Sequence, residues 1–116
     1  MDNKTFAKEL EKRTRKFAIR IINLSAKLTN TPEGRVVRNQ ITKAGTSIGA
    51  NYREANRARS RADFKKKICE SETSETQFWL DLISDMKWIT GKELISISTE
   101  CSELLALFTK IGYNLK

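Results

Sequence analysis

A run of basic side chains near the middle of the sequence carries the clearest chemical signal. Between residues 53 and 67, seven Lys and Arg residues meet only two acidic residues, Glu54 and Asp63. Clustered cations attract phosphates and other anions, although such a cluster can also be a solvated end of a fold. The candidate nucleic-acid-binding residues are Arg53, Arg57, Arg59, Arg61, Lys65, Lys66 and Lys67.

The charge is divided unevenly along the chain. Residues 1 to 67 contain 18 Lys and Arg against 6 Asp and Glu, whereas residues 68 to 116 contain 4 against 8. The first part is therefore +12 and the second −4, within a net charge of +8. This asymmetry predicts an anionic partner for the basic part, most commonly nucleic acid. The alternative is that the charge serves solubility and attraction between the two parts.

Acidic residues in the segment CESETSETQFW resemble the ligands of carboxylate-bridged metal bundles. Glu70, Glu72 and Glu75 lie close together in sequence, with Glu54 as an obvious partner in the preceding helix. Those metal sites also require Glu-x-x-His pairs, and the chain contains no histidine. Histidine is also the commonest general base. We therefore expect no metal, no cofactor and no catalytic residues, and a protein that is not an enzyme.

The two cysteines and the start of the chain bear on where the protein works. Cys69 and Cys101 do not form a CxxC pair, and we expect both to be small core residues. The first 16 residues are charged rather than apolar, and no later run approaches the roughly 18 apolar residues of a membrane span. The sequence predicts a soluble, cytoplasmic protein with no membrane partner.

Apolar residues recur at steps of three and four, which is typical of amphipathic helices. Proline occurs once and glycine five times, so helices can be long. The pattern predicts helices over about 4–29, 32–58, 61–89 and from Thr90 to near Gly112. Short connections favour antiparallel neighbours, so residues 1–116 should form one all-α domain, an up-and-down four-helix bundle. Such a bundle places Lys4, Lys8 and Lys12, at the start of the first helix, at the same end as the basic run of residues 53–67. The predicted core includes Phe17, Ile48, Phe78 and Leu104. The predicted core-facing side of the third helix follows Phe64, Ile68, Glu75, Phe78, Leu82 and Ile89.

Local signals mark three of the predicted helix starts. Thr31 followed by Pro32 is a favourable N-cap and first residue. Ser60 with Asp63, and Thr90 with Glu93, resemble capping boxes. Within the second helix, Gly45 and Gly49 predict that a neighbouring helix approaches its backbone closely.

Four polar residues lie on or beside the predicted apolar faces. Glu75 falls on the face of the third helix with Glu72 beside it, and Asn51 falls on that of the second. Arg13 borders the face of the first. Burying a carboxylate without partners would cost several kcal/mol. We therefore predict a hydrogen-bonded polar layer of Arg13, Asn51, Glu72 and Glu75 that fixes helix register.

The run FWLDLI, residues 78–83, is apolar nearly all the way round its helix. A four-helix core cannot readily cover every side of a helix, so Trp79, Leu80 and Ile83 predict a homo-oligomer interface. Exposed apolar residues scattered singly are the alternative.

Residues 46–80 resemble the signature of the four-helix family of proteins encoded within bacterial 23S rRNA intervening sequences. That signature reads S-I-x-x-N-x-x-E, then a Ser/Asp/Phe segment, then E-x-x-E-T-x-x-W-L. The matching residues are Ser47, Ile48, Asn51, Glu54, Ser60, Phe64, Glu72, Glu75, Thr76, Trp79 and Leu80. One departure is Ala55-Asn56, where many relatives have glycine after the glutamate.

The resemblance implies a homopentameric ring of four-helix bundles. It also implies a relation to the accessory variability protein of diversity-generating retroelements, which binds nucleic acid and a reverse transcriptase. No catalytic residue set belongs to the signature, so its matched residues are expected to determine fold and assembly.

The sequence therefore predicts a non-enzymatic, basic, oligomeric protein that binds nucleic acid or acts as an adaptor. RNA is favoured by the family's genomic setting, although no aromatic motif for base-specific recognition is present. The alternative is a protein-interaction scaffold that docks an acidic protein partner.

Overall fold

The computed structural model describes residues 2–113 as four α-helices with short connections. They are α1 (Asn3–Ser25), α2 (Pro32–Arg57), α3 (Ala62–Asp85) and α4 (Lys92–Tyr113). The described residues contain no strand, which confirms the all-α prediction. Only the ends of α1 and α3 depart by as much as four residues from the predicted bounds. None of the helices in residues 2–113 is long and apolar enough to cross a membrane.

The helices form an antiparallel up-and-down bundle, as predicted. Each helix packs on the next one along the chain, and α4 closes the bundle against α1, where the packing is least extensive. Side-chain contacts give the direction of each pair. Between α1 and α2, Arg57 contacts Glu11 and Thr42 contacts Ser25. Residue numbers therefore increase along one helix as they decrease along the other, which makes the pair antiparallel.

The core is continuous along the bundle, and three of the four predicted core residues lie in it. Phe17, Ile48 and Leu104 are buried, each in a different helix. Tyr52 of α2 packs edge-on against Phe108 of α4, with ring centroids 5.6 Å apart. These residues confirm the apolar faces predicted for α1, α2 and α4.

The fourth predicted core residue, Phe78, shows that the predicted face of α3 was wrong. Its side chain is 57% exposed, and Phe64, on the same predicted face, is 53% exposed. The buried residues of α3 follow steps of four and three on a different face. They are Cys69, Thr73, Thr76, Leu80 and Ile83.

Buried threonines explain the error on α3. Thr73 Oγ1 donates to the carbonyl of Cys69 at 2.6 Å, and Thr76 Oγ1 donates to that of Glu72 at 2.8 Å. Each hydroxyl is thus satisfied within its own helix, which removes the cost of burying it. The remaining methyl-bearing side chain packs as a small apolar group, although its residue type looks polar in the sequence.

The predicted oligomer interface needs correction for the same reason. Leu80 and Ile83 are both 0% exposed within the bundle, so neither can contact another subunit. Only Trp79 of the predicted three is half-buried, at the edge of the core. The large apolar side chain that is exposed in this part of α3 is Phe78.

Gly45 and Gly49 lie where α1 crosses α2, which confirms the predicted close approach. A Cβ atom at Gly45 would lie 2.8 Å from Ile21 Cγ2, and one at Gly49 would lie 3.1 Å from Thr14 Oγ1. Both distances are shorter than ordinary carbon contacts of about 3.5–4.0 Å. The two glycines therefore let α1 and α2 pack more tightly than larger residues would allow.

The helix starts agree with the sequence only in part. Thr31 Oγ1 accepts from the Gly34 amide at 3.0 Å, with Pro32 as first residue, as predicted. The capping box of Ser60 and Asp63 is wrong, because Arg61, at φ 62, precedes α3 and no side chain caps it. The box of Thr90 and Glu93 is also wrong, since α4 begins only at Lys92.

Candidate functional site

The basic end of the bundle is formed by the end of α2, the residues between α2 and α3, and the first turns of α3 and α1. Two hydrogen bonds join α1 to α2 here. Glu11 accepts from Asn56 Nδ2 at 2.9 Å and from Arg57 Nη1 at 3.2 Å. The predicted basic run therefore lies beside the lysines at the start of α1.

All seven predicted nucleic-acid-binding residues lie in the basic end. Lys65 and Lys66 are half-buried, and the other five are exposed. Arg57 forms an ion pair with Glu11. Within residues 2–113 none of the other six lies within 4.0 Å of a carboxylate, so their charges are free to attract an anion. These six are Arg53, Arg59, Arg61, Lys65, Lys66 and Lys67.

Glu11 is the carboxylate most closely engaged with these cations. Its partial burial acts to raise its pKa, but the hydrogen bonds from Asn56 and Arg57 and the charges of Arg57 and Arg53 lower the pKa below its ordinary value. Glu11 is therefore ionised at neutral pH. Its negative charge is largely compensated by Arg57.

A groove of about 540 Å³ runs between α1 and α2 towards the basic end. We call it the α1–α2 groove. Its small side chains and its cations come from both helices. Its lining comprises Lys8, Glu11, Lys12, Arg15 and Ala18 of α1 with Thr46, Gly49, Ala50 and Arg53 of α2.

The α1–α2 groove was not found from the sequence. Lys8 and Lys12 were grouped with the basic end, but Arg15 was not, although the spacing of four and three places all three on one side of α1. That spacing is a usable signal. The groove itself depends on how closely α1 and α2 pack, which the sequence indicates only through Gly45 and Gly49.

An exposed aromatic ring accompanies the cations of the basic end. The Arg61 guanidinium carbon lies 4.9 Å from the centroid of the Phe64 ring. This distance is within the range of a cation–π contact. The sequence prediction missed this pair because it assigned Phe64 to the core.

The predicted polar layer does not form, and Arg13 has other partners. Its Nε and Nη2 atoms both donate to Glu100 of α4 at 2.7 Å, and Nη2 also donates to Glu103 at 2.8 Å. The hydrogen bonds with Glu100, opposed by partial burial and aided by the charges of Glu100 and Glu103, raise the pKa of Arg13. Arg13 therefore joins α1 to α4.

The other three members of the predicted layer lie apart from Arg13. Asn51 donates to the Ser47 carbonyl of its own helix at 2.9 Å. Glu75 is exposed and accepts from Trp79 Nε1 at 3.1 Å. Glu72 is half-buried, and this burial, together with the charge of Glu75, raises its pKa despite the opposing effect of Lys43. Glu72 and Glu75 lie apart from Arg13 because the face of α3 that is buried is not the predicted one.

A second pair of contacts extends the ionic seam between α1 and α4. Arg20 Nη2 lies 3.4 Å from Glu93 and donates to Ser96 at 2.7 Å. Arg13 and Arg20 are seven residues apart, as are Glu93 and Glu100, which suits two antiparallel helices. Arg13, Arg20, Glu93, Ser96, Glu100 and Glu103 form what we call the α1–α4 seam.

Both cysteines are free and buried, as predicted. Burial raises the pKa of Cys69 to about 12 and that of Cys101 to about 12. Thiols with such pKa values are protonated at neutral pH and are poor nucleophiles and metal ligands. Among residues 2–113, no group of three or more Cys, Asp or Glu residues is arranged so as to hold a metal ion.

The surface of α3 and α4 carries two aromatic side chains in contact. Phe78 and Trp79 make an edge-on contact with ring centroids 4.9 Å apart. Nearby, a hollow of about 590 Å³ separates exposed parts of the two helices. Leu105 and Ala106 contribute to its lining, and one wall carries the hydrogen bond of 2.7 Å from Gln77 to Ser102.

Comparison with known proteins agrees with this architecture. The model of the 23S rRNA-intervening sequence protein family matches residues 8–110. A crystal structure of a protein with unknown function, from the S23 ribosomal protein family of Bacteroides thetaiotaomicron, is similar with a TM-score of 0.79 and 38% sequence identity. The alignment covers 88% of this chain and 96% of that one. No curated protein matches the sequence.

The family match spans the signature residues 46–80 and nearly all of the four helices. It confirms the resemblance stated from those residues. The chain therefore belongs to the 23S rRNA-intervening sequence protein family.

Proposed function

We propose that the protein is a non-enzymatic, cytoplasmic nucleic-acid-binding protein, with RNA as the favoured ligand. The observation that carries this proposal is the basic end, where six Lys and Arg side chains lie together without a carboxylate partner within 4.0 Å in residues 2–113. Cations that are not already paired can release the counterions condensed on a nucleic acid, and this release favours binding.

The start of α3 adds to the positive potential of the basic end. The N-cap residue of α3 is Arg61, and its side chain makes no hydrogen bond that caps the helix. The N-terminus of a helix carries a partial positive charge that favours phosphate. Asp63 in the first turn offsets part of this effect.

A change of charge at the start of α3 tests the proposal. Replacing Lys65, Lys66 and Lys67 with glutamate should weaken binding to all sequences alike. It should also flatten the dependence of log affinity on log salt, which has a slope of about −0.9 per neutralised phosphate for duplex DNA and about −0.7 for single strands. Fluorescence anisotropy with labelled RNA and DNA measures both effects. Lys110→Glu, in the last turn of α4, is the control.

Two results would count against nucleic-acid binding. One is a parent protein that binds neither RNA nor DNA at about 100 mM salt, where the Debye length of about 10 Å leaves direct contacts between cations and phosphates effective. The other is a triple variant that binds as tightly as the parent. Either result would favour the alternative function, a scaffold that docks an acidic protein partner through the same cations.

We also propose that the protein works as a homo-oligomer, with a ring of five subunits as the expected form. The exposed Phe78 ring and its edge-on neighbour Trp79 support an apolar contact on α3. Such exposed aromatic residues are typical of subunit interfaces. The family resemblance supplies the number of subunits.

Phe78→Asp tests this assembly without touching the buried face of α3. Light scattering should give a mass near five subunits for the parent and a lower mass for the variant, while circular dichroism keeps the same helicity. A parent that is monomeric at tens of micromolar would overturn the assembly. Val36→Asp, a similarly exposed apolar residue on α2, is the matched control.

A further inference from the structure

The walls of the α1–α2 groove carry cations without ion-pair partners. Lys8, Lys12 and Arg15 follow one another along α1, and Arg53 faces them from α2. None of the four lies within 4.0 Å of a carboxylate in residues 2–113. The one acidic residue in the lining, Glu11, already accepts from Arg57 and Asn56. The groove is therefore electropositive on both sides.

Small residues form the floor of the groove between the two closely packed helices. Ala18, Gly49 and Ala50 project little or no side chain into the groove. A narrow, flexible chain can follow such a floor between two rows of cations, as single strands do in basic grooves. A duplex carries its phosphates on a wide, stiff cylinder, so it would rest on the rims and leave the floor empty.

The groove is continuous with the basic end through Arg53. This residue lines the groove and lies one turn before the end of α2 at Arg57. At the same end of the bundle, the first turn of α3 carries the exposed Phe64 ring with the Arg61 guanidinium beside it. Aromatic rings of this kind stack with unpaired bases, and the combination with a basic groove is typical of single-strand binding.

We propose that the α1–α2 groove binds the phosphodiester backbone of a single-stranded nucleic acid, with a base stacked on Phe64 where the strand leaves the groove. This inference rests on the proposed nucleic-acid function and assigns the backbone to the α1–α2 groove, whose lining includes only Arg53 of the run of residues 53–67. Binding is electrostatic and tolerant of sequence, since no base edge is contacted in the groove.

A bulky neutral residue on the floor separates groove binding from general electrostatic attraction. Ala50 is exposed, so Ala50→Leu should obstruct the floor of the groove without changing the charge or adding an aromatic ring on which a base could stack. Affinity for a labelled oligouridylate should fall by about tenfold, equivalent to about 1.4 kcal/mol. Affinity for a duplex of equal length should stay within about twofold, because the duplex does not enter. Ala106→Leu, in the hollow of α3 and α4, is the matched control and should bind both probes like the parent.

A pair of charge reversals on α1 gives a second, independent measurement. Lys12 lines the groove, whereas Lys16 is one turn further along and does not. Both side chains are exposed. Lys12→Glu should weaken binding of the single strand several times more than Lys16→Glu does, although the two variants have the same net charge.

Competition with inorganic tripolyphosphate distinguishes a strand from a free phosphate anion. An unlabelled oligouridylate should displace the labelled strand at a much lower total phosphate concentration than tripolyphosphate requires. Equal competition would overturn the strand assignment and leave a general anion site.

The failure of this inference differs from the failure of the proposed function. If the glutamate variant of Lys65, Lys66 and Lys67 loses affinity while Ala50→Leu and Lys12→Glu bind the strand like the parent, the groove is not the site and nucleic-acid binding stands. If the parent binds no nucleic acid, both the groove inference and the proposed function are wrong. Helicity and oligomer mass are measured for each variant, so that a misfolded or dissociated sample is not scored.

Discussion

The two halves of the bundle, α1 with α2 and α3 with α4, have a common core but different outer surfaces. On α1 and α2, glycines allow close packing, and lysines and arginines line a groove. On α3 and α4, the aromatic rings of Phe78 and Trp79 and an apolar hollow occupy the outside. The change of charge near residue 67 thus nearly coincides with the division between the helix pairs.

The comparison teaches that a net charge can hide two surfaces with different partners. A value of +8 describes neither half. The basic half offers isolated cations, which suit a polyanion, whereas the other half offers exposed rings, which suit a protein surface. The core beneath both halves is the same, so substitutions can separate what stabilises the fold from what each surface does.

The largest contrast is expected between a buried and an exposed phenylalanine in the α3–α4 half. Phe108 is 0% exposed, so Phe108→Ala should lower the free energy of unfolding by about 3–5 kcal/mol through lost packing and a cavity. Phe78→Ala should cost less than about 1 kcal/mol, because most of that ring is in solvent.

Urea denaturation of dilute samples measures both free energies while limiting any contribution from assembly. A loss for Phe78→Ala as large as that for Phe108→Ala would mean that Phe78 is buried after all. The description of the two faces of α3 would then fail.

A smaller contrast compares glycines in the two halves. Gly45→Ala should lower the stability by about 1 kcal/mol or more, because the new methyl group would meet the stiff, branched Ile21 side chain at 2.8 Å. Gly112→Ala should be neutral or stabilising by up to about 1 kcal/mol, through the better helix propensity of alanine. Its nearest neighbour is the flexible Glu70 side chain, at 3.3 Å.

Thermal denaturation of the two variants gives the sign of each effect. Equal stabilisation by both substitutions would mean that α1 and α2 are not closely packed at Gly45. The α1–α2 groove, whose floor depends on that packing, would then have a different shape.

The smallest expected effect depends on pH. The pKa of Glu72 is raised, so above its ordinary value of 4.5 the folded state binds more protons at this group than the unfolded state does. Stability is therefore lost as pH rises from about that value through the raised pKa, and the loss persists at neutral pH. Glu72→Gln removes the loss and should stabilise the protein at pH 7 by up to about 0.5 kcal/mol.

The advantage of Glu72→Gln should vanish near pH 3, where the carboxyl is protonated in both states. Urea melts at the two pH values measure it. Glu54→Gln, an exposed carboxylate near the basic end, should bring no gain at pH 7. An advantage of Glu72→Gln that is equal at both pH values would show that its cause is not ionisation.

The sequence predicts helices well where local signals are strong. The start of α2 is defined by the hydrogen bond that the Thr31 side chain accepts and by the fixed backbone angle of Pro32. Both residues are adjacent and are easily recognised in the sequence. The face of α3 could not be read in this way. Thr73 and Thr76 look polar until their hydroxyls are seen to bond within the helix, while Phe64 and Phe78 look like core residues.

The candidate site was predictable in composition but not in shape. The seven cations between residues 53 and 67 are visible as a run, and they lie at one end of the bundle. The groove requires side chains from two helices to face each other across a particular packing distance. The partners of Arg13 lie 87 and 90 positions away, and nothing local in the sequence selects Glu100 and Glu103 over other carboxylates.

The α1–α4 seam has a consequence for the order in which the bundle opens. Packing is least extensive between these two helices, and ion pairs of Arg13 and Arg20 bridge them. Cooperative units held by few apolar contacts open at a lower free energy than the rest of a fold. Partly exposed ion pairs such as these are also weakened by salt. Amide hydrogen exchange should therefore begin in α1 and α4, the first and last helices of the chain, and should become faster as ionic strength rises. The amides of α2 and α3 should be protected longest.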